Sequence, residues 1–129
     1  EPLSVKQEDI HLQGHAMECR INAEDPAHHF RPCPGVIEEI HLPGGNGVRI
    51  DTAAYNGYEI PPFYDSMIAK VIVHGRTRQE AIDKMRSTLG ELIIDGVTTN
   101  VDFQYEILDN EDFQAGEITT DFIPMHFNL

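Results

Sequence analysis

An α+β fold is predicted by three observations. The first part of the chain holds short β-branched runs broken by glycine and proline. The later part changes to helical spacing of apolar residues. Between them Thr77-Arg78-Gln79-Glu80 is a helix-start signal, a threonine followed three residues later by glutamate. Strands followed by helices, rather than strict alternation, place the chain in the α+β class.

His15 to Ala23 is the first candidate strand. Cys19, Ile21 and Ala23 fall on one face, and Glu18, Arg20, Asn22 and Glu24 on the other. The first face suits packing. The second sets a permanently charged guanidinium among carboxylates, which makes either a solvated ion-pair ladder or the wall of an anion site. Local chemistry leaves both open. After the Pro32, Pro34 and Gly35 punctuation, Val36, Ile37 and Ile40 predict a second strand ending near Leu42. Val48 to Asp51 begins a third, and Asn46-Gly47 between the two predicts a hairpin. The dense run from Ser66 to His74 predicts a central strand.

Thr77 is expected to cap a helix through its hydroxyl, with Glu80 reaching back in a reciprocal box. Ala81, Met85, Leu89 and Leu92 form the buried stripe, flanked by Ile82 and Ile93. Gly96 ends this unit, after a short strand at Ile93-Ile94. Thr99 is the expected cap of a second helix with Val101, Tyr105 and Leu108 on one stripe and Phe103 and Ile107 beside it. Asn110-Glu111-Asp112 opens a turn around Phe113. Thr119 or Thr120 is the expected cap of a last helix through Phe122, Ile123 and Phe127.

The chain has 129 residues and a formal net charge of -13. That length suits one domain with a real core. The charge argues against nonspecific nucleic-acid binding and against docking on anionic membranes. No apolar run approaches a membrane span, and no basic-then-apolar leader is present. Cys19 and Cys33 are the only cysteines and fit no zinc spacing, so reduced thiols and a cytoplasmic location are expected. Residues 1–12 are linker-like, and the start at Glu1-Pro2-Leu3-Ser4 reads as a domain cut from a longer chain.

Several candidate sites fail on context. Gly44-Gly45-Asn46-Gly47 lacks the helix N-terminus a phosphate loop needs. The histidines have no ligand spacing, and Asp109, Glu111, Asp112 and Glu117 lack a calcium-loop pattern. Pro61-Pro62-Phe63-Tyr64-Asp65 is more informative. A double proline stiffens the backbone before two aromatics and a carboxylate. This either fixes Asp65 for a site or leaves Asp65 capping a turn.

Gly14-His15-Ala16-Met17-Glu18-Cys19-Arg20-Ile21-Asn22-Ala23-Glu24-Asp25-Pro26 closely resembles the opening of the C-terminal domain of biotin carboxylases. Pro34-Gly35-Val36-Ile37, Pro43-Gly44-Gly45 with Gly47-Val48-Arg49, the run Pro61 to Met67, and Glu91 to Val97 with Thr99-Asn100 are similar to later motifs of that family, in the same order. The resemblance runs over nearly the whole chain. It is strongest to the biotin carboxylase of bacterial acetyl-CoA carboxylase, while pyruvate and propionyl-CoA carboxylases carry equivalent domains.

The resemblance implies an antiparallel sheet, or rudimentary hybrid barrel, with flanking C-terminal helices. It implies a part in ATP-dependent carboxylation of biotin by bicarbonate, with ATP, Mg or Mn and biotin bound mostly by an upstream ATP-grasp part. The fragment alone is then expected to be inactive. Carried over by position, Arg20 is a catalytic arginine near the biotin ureido oxygen. Asp65 is a catalytic aspartate orienting arginines there, and Thr120 lies on the adenine side. The implied partners are the ATP-grasp part, a biotin carboxyl carrier protein and a second copy of the chain, meeting around Asn46 and Arg49. Relatives often have phenylalanine at the Asn46 position, so a weaker dimer is expected. A rival reading makes the domain a non-catalytic module for dimerisation or carrier docking.

Overall fold

In a computed structural model, which describes residues 1–63 and 65–128, the long strands form one antiparallel sheet. β1 (His15–Asn22), β8 (Met67–Gly75) and β6 (Val48–Thr52) lie in the order β1-β8-β6. β8 is central, as its apolar run predicts. The register sets Met17, Cys19 and Ile21 of β1 beside Val73, Val71 and Ala69 of β8, and Val48 and Ile50 of β6 beside Val73 and Val71. These residues share one face because side chains alternate along a strand.

That face is covered by helix α1 (Arg78–Glu91), which packs across β8 and β1. α1 contributes Ala81, Ile82, Met85 and Leu89, all buried, to the same core. The expected stripe is therefore the one used, although Ile93 is exposed and lies beyond the helix. Thr77 accepts from the Glu80 N–H at 3.1 Å as predicted. The reciprocal half of the box is absent. The Glu80 carboxylate takes Nε of Arg76 at 3.0 Å, and that hydrogen bond holds the carboxyl below its usual range.

The remaining strands are short and pair two by two. β2 (Glu24–Asp25) pairs with β3 (Arg31–Pro32), β4 (Gly35–Val36) with β7 (Glu59–Ile60), and β5 (Glu39–His41) with β9 (Ile93–Asp95). Among the described residues all four sheets are antiparallel, and the ladders do not close into a barrel. The predicted second strand is thus two strands with different neighbours. The switch occurs at Ile37, which is fully buried and donates its N–H to the Tyr58 carbonyl, while Glu38 donates to Asp95.

The hairpin expected at Asn46-Gly47 does not form. The turn exists, closed by Val48 N–H on the Gly45 carbonyl at 3.2 Å, but β5 and β6 belong to different sheets. Local turn chemistry reverses the chain without selecting the neighbour. β6 pairs with β8 because Val48 and Ile50 thereby reach the core.

Three helices complete the chain: α2 (Val101–Asp109), α3 (Glu111–Ala115) and α4 (Phe122–His126). The helical turn expected from Asn110-Glu111-Asp112 forms as α3, and Asn110 caps it, accepting from the Asp112 and Phe113 N–H groups. Two other caps differ. Asn100, not Thr99, occupies the cap position of α2, and Asp121 that of α4, where the Phe122 N–H goes to the Thr119 backbone carbonyl. On α2, Leu108 is buried and Val101 packs on the core, but Tyr105 lies at the rim beneath the Arg86 guanidinium. Phe103 turns the other way and stacks edge-on against Phe30 and Phe127. Residues 1–12 are exposed, with a single 3-10 turn at Gln7–Asp9.

Gly96 has φ +96, and a Cβ there would run into the Val36 carbonyl oxygen. Gly57 has a similar φ of +87 but faces open space. In urea unfolding, Gly57→Ala should cost only the left-handed strain, roughly 1–2 kcal/mol. Gly96→Ala should cost distinctly more, because the β4–β5 connection must also move.

Candidate functional site

Arg20 lies on the outer face of β1, away from α1. Cross-strand register puts it in one row with Lys70 of β8 and Asp51 of β6; the next row holds Glu18, Ile72 and Arg49. The outer face of the sheet is therefore polar where the inner face is apolar. The predicted division of β1 is observed, with Cys19, Ile21 and Ala23 buried and Arg20 exposed.

The charges on this face are linked in short pairs. Arg20 Nε lies 3.1 Å from Glu18 Oε1, Arg49 Nη2 lies 3.2 Å from Asp51 Oδ2, and Lys70 Nζ lies 3.7 Å from the same oxygen. Such exposed pairs contribute about 0–1 kcal/mol each. They bias side-chain directions but do not hold the face together. Only Nε of the Arg20 guanidinium is engaged among the described residues, which leaves the two Nη groups as donors for a ligand.

The main chain at Arg20 is better held than its side chain. The Arg20 carbonyl accepts from Asn100 Nδ2 at 3.1 Å and from Gln104 Nε2 at 3.3 Å. Beside it, Glu24 gathers Ser66 Oγ at 2.6 Å and Asn22 Nδ2 at 3.4 Å, and so ties the end of β1 to the start of β8.

Asp65 lies next to this end of the sheet, two residues before Met67, whose cross-strand partner is Asn22. Its Oδ1 accepts from the Met67 N–H at 3.0 Å, which is the turn-capping geometry. Pro61, Pro62, Phe63 and Asp65 are all exposed, so the stiffened segment projects outward; Tyr64 lies outside the described residues. Thr120 is exposed in the turn before α4, and the hydrogen bonds of Arg20 and Asp65 among the described residues do not include it. Asn46 and Arg49 are exposed at the far side of the sheet, on and just before β6.

Sequence reasoning placed Glu24 on the Arg20 face but gave no role to Lys70, Asp51, Asn100 or Gln104. Lys70 carried a usable signal, a single lysine inside an otherwise apolar strand. Asn100 stood only within a family motif and Gln104 carried no signal, because their contacts with β1 cross about eighty residues of sequence. Among the described residues no three His, Cys, Asp or Glu side chains gather as a metal site. Among the described residues no helix is long and apolar enough to cross a membrane.

Comparison with known proteins identifies the fold around this site. The family model of the biotin carboxylase C-terminal domain matches residues 18–125. The chain belongs to the biotin carboxylase C-terminal domain family. It is 54% identical to biotin carboxylase 1 of Bacillus subtilis over 121 residues, covering 94% of this chain and 27% of that protein. Among solved structures, it matches the biotin carboxylase domain dimer of 2-oxoglutarate carboxylase from Hydrogenobacter thermophilus, a complex with MgADP, ADP and bicarbonate. The TM-score is 0.96 at 45% identity, over 98% of this chain and 28% of that one. A biotin carboxylase belonging to a pyruvate carboxylase matches with the same TM-score of 0.96 at 47% identity, again over 98% of this chain and 28% of that one. The chain thus spans little more than a quarter of the length of these relatives.

Cys19 neighbours Arg20 in this biotin carboxylase domain but plays no part in an open site. Burial first, and the Glu18 charge second, push its thiol up to about 12. It stays protonated and unreactive at neutral pH. A thiol reagent at about pH 8 should therefore label the half-buried Cys33 in the native chain and reach Cys19 only on unfolding. Rapid native labelling of both would contradict the burial of the inner face.

Proposed function

We propose that this chain is a single domain of a longer biotin carboxylase, and that it closes one wall of the site where biotin is carboxylated with ATP and bicarbonate. The observation that carries this is Arg20. It is a guanidinium on an open polar face, on a strand whose backbone is clamped, within a family defined by that reaction. The proposed substrate group is the ureido ring of biotin presented by a carrier protein. Arg20 donates to the ureido oxygen and stabilises the negative charge that grows there as the ureido N–H is lost. A planar fork that is always charged suits this better than an ammonium. Asp65, with its second carboxylate oxygen, orients arginines supplied from upstream.

The two unengaged Nη groups of Arg20 fit an anionic oxygen, and ATP with Mg supplies the activation of bicarbonate from the ATP-grasp part of the longer protein. In this reading Thr120 lies on the adenine side. The setting is cytoplasmic, in keeping with the two free cysteines. The parent is assigned to acetyl-CoA carboxylase, and so to fatty acid synthesis, with pyruvate or propionyl-CoA carboxylase as the alternative parent.

The test uses the full-length protein and the carboxylation of free biotin. Arg20→Ala should slow turnover by on the order of 10²–10³-fold with the unfolding midpoint unchanged. Arg20→Lys should also be slow, since it keeps the charge and loses the fork. Turnover close to wild type in both would leave the domain as scaffold only.

A homodimer through Asn46 and Arg49 is the proposed assembly. An asparagine where relatives often carry phenylalanine removes an aromatic anchor, worth on the order of 2 kcal/mol. Asn46→Phe should then lower the dimer dissociation constant in sedimentation, and an unchanged constant would move the interface elsewhere.

A further inference from the structure

β1 is the outer strand of its sheet, so the main-chain groups along its far edge have no ladder partner. Next to Arg20 the inner ladder is also interrupted, because the register with β8 shifts between Ile21 and Asn22. β8 alone therefore does not fix the backbone direction at this point. A bulge of this kind re-aims neighbouring side chains.

On the outer edge one residue supplies the missing partner. Asn100 Oδ1 accepts from the Asn22 N–H at 2.8 Å, and its Nδ2 donates to the Arg20 carbonyl at 3.1 Å. Its own main-chain N–H donates to the Asn22 carbonyl at 3.2 Å. Asn100 thus imitates a neighbouring strand on both sides of Ile21. Gln104, one turn along α2, adds a second donor to the same Arg20 carbonyl at 3.3 Å. Asn100 is 5% exposed, so its own bonds form largely away from water, while the Gln104 bond is exposed.

The arrangement comes at a local cost. An asparagine at a helix start ordinarily caps its own helix. Here α2 has no side-chain cap from Asn100. Its first N–H, that of Val101, donates only a long 3.4 Å contact to Thr99 Oγ1. The amide is diverted from the helix to the strand that carries Arg20.

We infer that Asn100, assisted by Gln104, is a positioning residue for Arg20: it fixes the outer edge of β1 opposite the bulge in β8, and so the point from which the guanidinium reaches the reacting oxygen. The inference rests on the proposed role of Arg20. α2 acts as a brace set against the catalytic strand, and the exposed Glu18 pair tunes only the side chain.

The test compares Asn100→Ala and Gln104→Ala in the full-length protein, each alone and in an Arg20→Ala background, by biotin carboxylation and thermal unfolding. Asn100→Ala should lower kcat by on the order of 10²-fold, the effect of a misplacement of about 1 Å. Gln104→Ala, which removes one of two donors to the carbonyl, should lower it by a smaller factor. In the Arg20→Ala background neither should slow the remaining rate further, because both act through the side chain already lost. Equal losses in both backgrounds would make Asn100 general scaffold and overturn the inference. So would wild-type kcat in Asn100→Ala beside a slow Arg20→Ala, which leaves the role of Arg20 intact. Wild-type turnover in Arg20→Ala would remove both. If Asn100→Ala does not fold, Gln104→Ala decides by the same comparison, and an unchanged kcat there overturns the inference.

Discussion

β8 is hydrogen-bonded along both edges, to β1 on one side and β6 on the other, and buries Ala69, Val71 and Val73 beneath α1. Each buried valine contributes about 1.5–3 kcal/mol from loss of contact with water. The larger consequence is geometric. Because side chains alternate along a strand, burying the odd-numbered set of β8 forces Lys70, Ile72 and His74 onto the opposite face. The two neighbouring strands follow, and Arg20, Lys70 and Asp51 form one outward row. A slip of one residue would bury the charges and expose the core, so the site's location is a by-product of the core's register.

Register brings Arg20, Lys70 and Asp51 to one face, yet it does not hold them there. That falls to contacts that depart from local rules. Lys70 interrupts an apolar strand. Asn100 leaves its helix uncapped. His29 and Phe30 both adopt positive φ, near 54°, at the tip of the β2–β3 hairpin, a conformation that favours glycine. Phe30 is kept there by its edge-on contact with Phe103, which in turn meets Phe127 after α4. An aromatic column thus ties the hairpin to the C-terminal helix, and between them lies a cleft of about 430 Å³ lined by His29, Phe30, Ile123 and Phe127. Departures of this kind gather where a fold serves function rather than its own stability.

Much of this was legible in the residues. The strand at His15–Asn22, the division of its two faces, the central strand and the buried stripe of α1 all follow from period-2 and period-3.6 patterning, which is local and strong. The ordered motifs around Arg20 and Asp65 pointed to the family before any coordinates. Partner choice was not legible. The Val36 to Leu42 segment divides between two ladders, and the Asn46-Gly47 turn joins strands of different sheets, because a neighbour is selected by distant apolar surface rather than by the turn.

By itself, then, the sequence determined which residues face a core, where the long elements begin, and that Arg20 stands opposite the packed face of its strand. Tertiary structure alone decided that Lys70 and Asp51 share its row, that Asp65 caps a turn beside the same sheet end, and that Asn100 and Gln104 hold its carbonyl. The physical reason is range. Periodicity and turn chemistry act over a few residues, whereas the clamp on β1 joins groups about eighty residues apart that meet only once the core has formed.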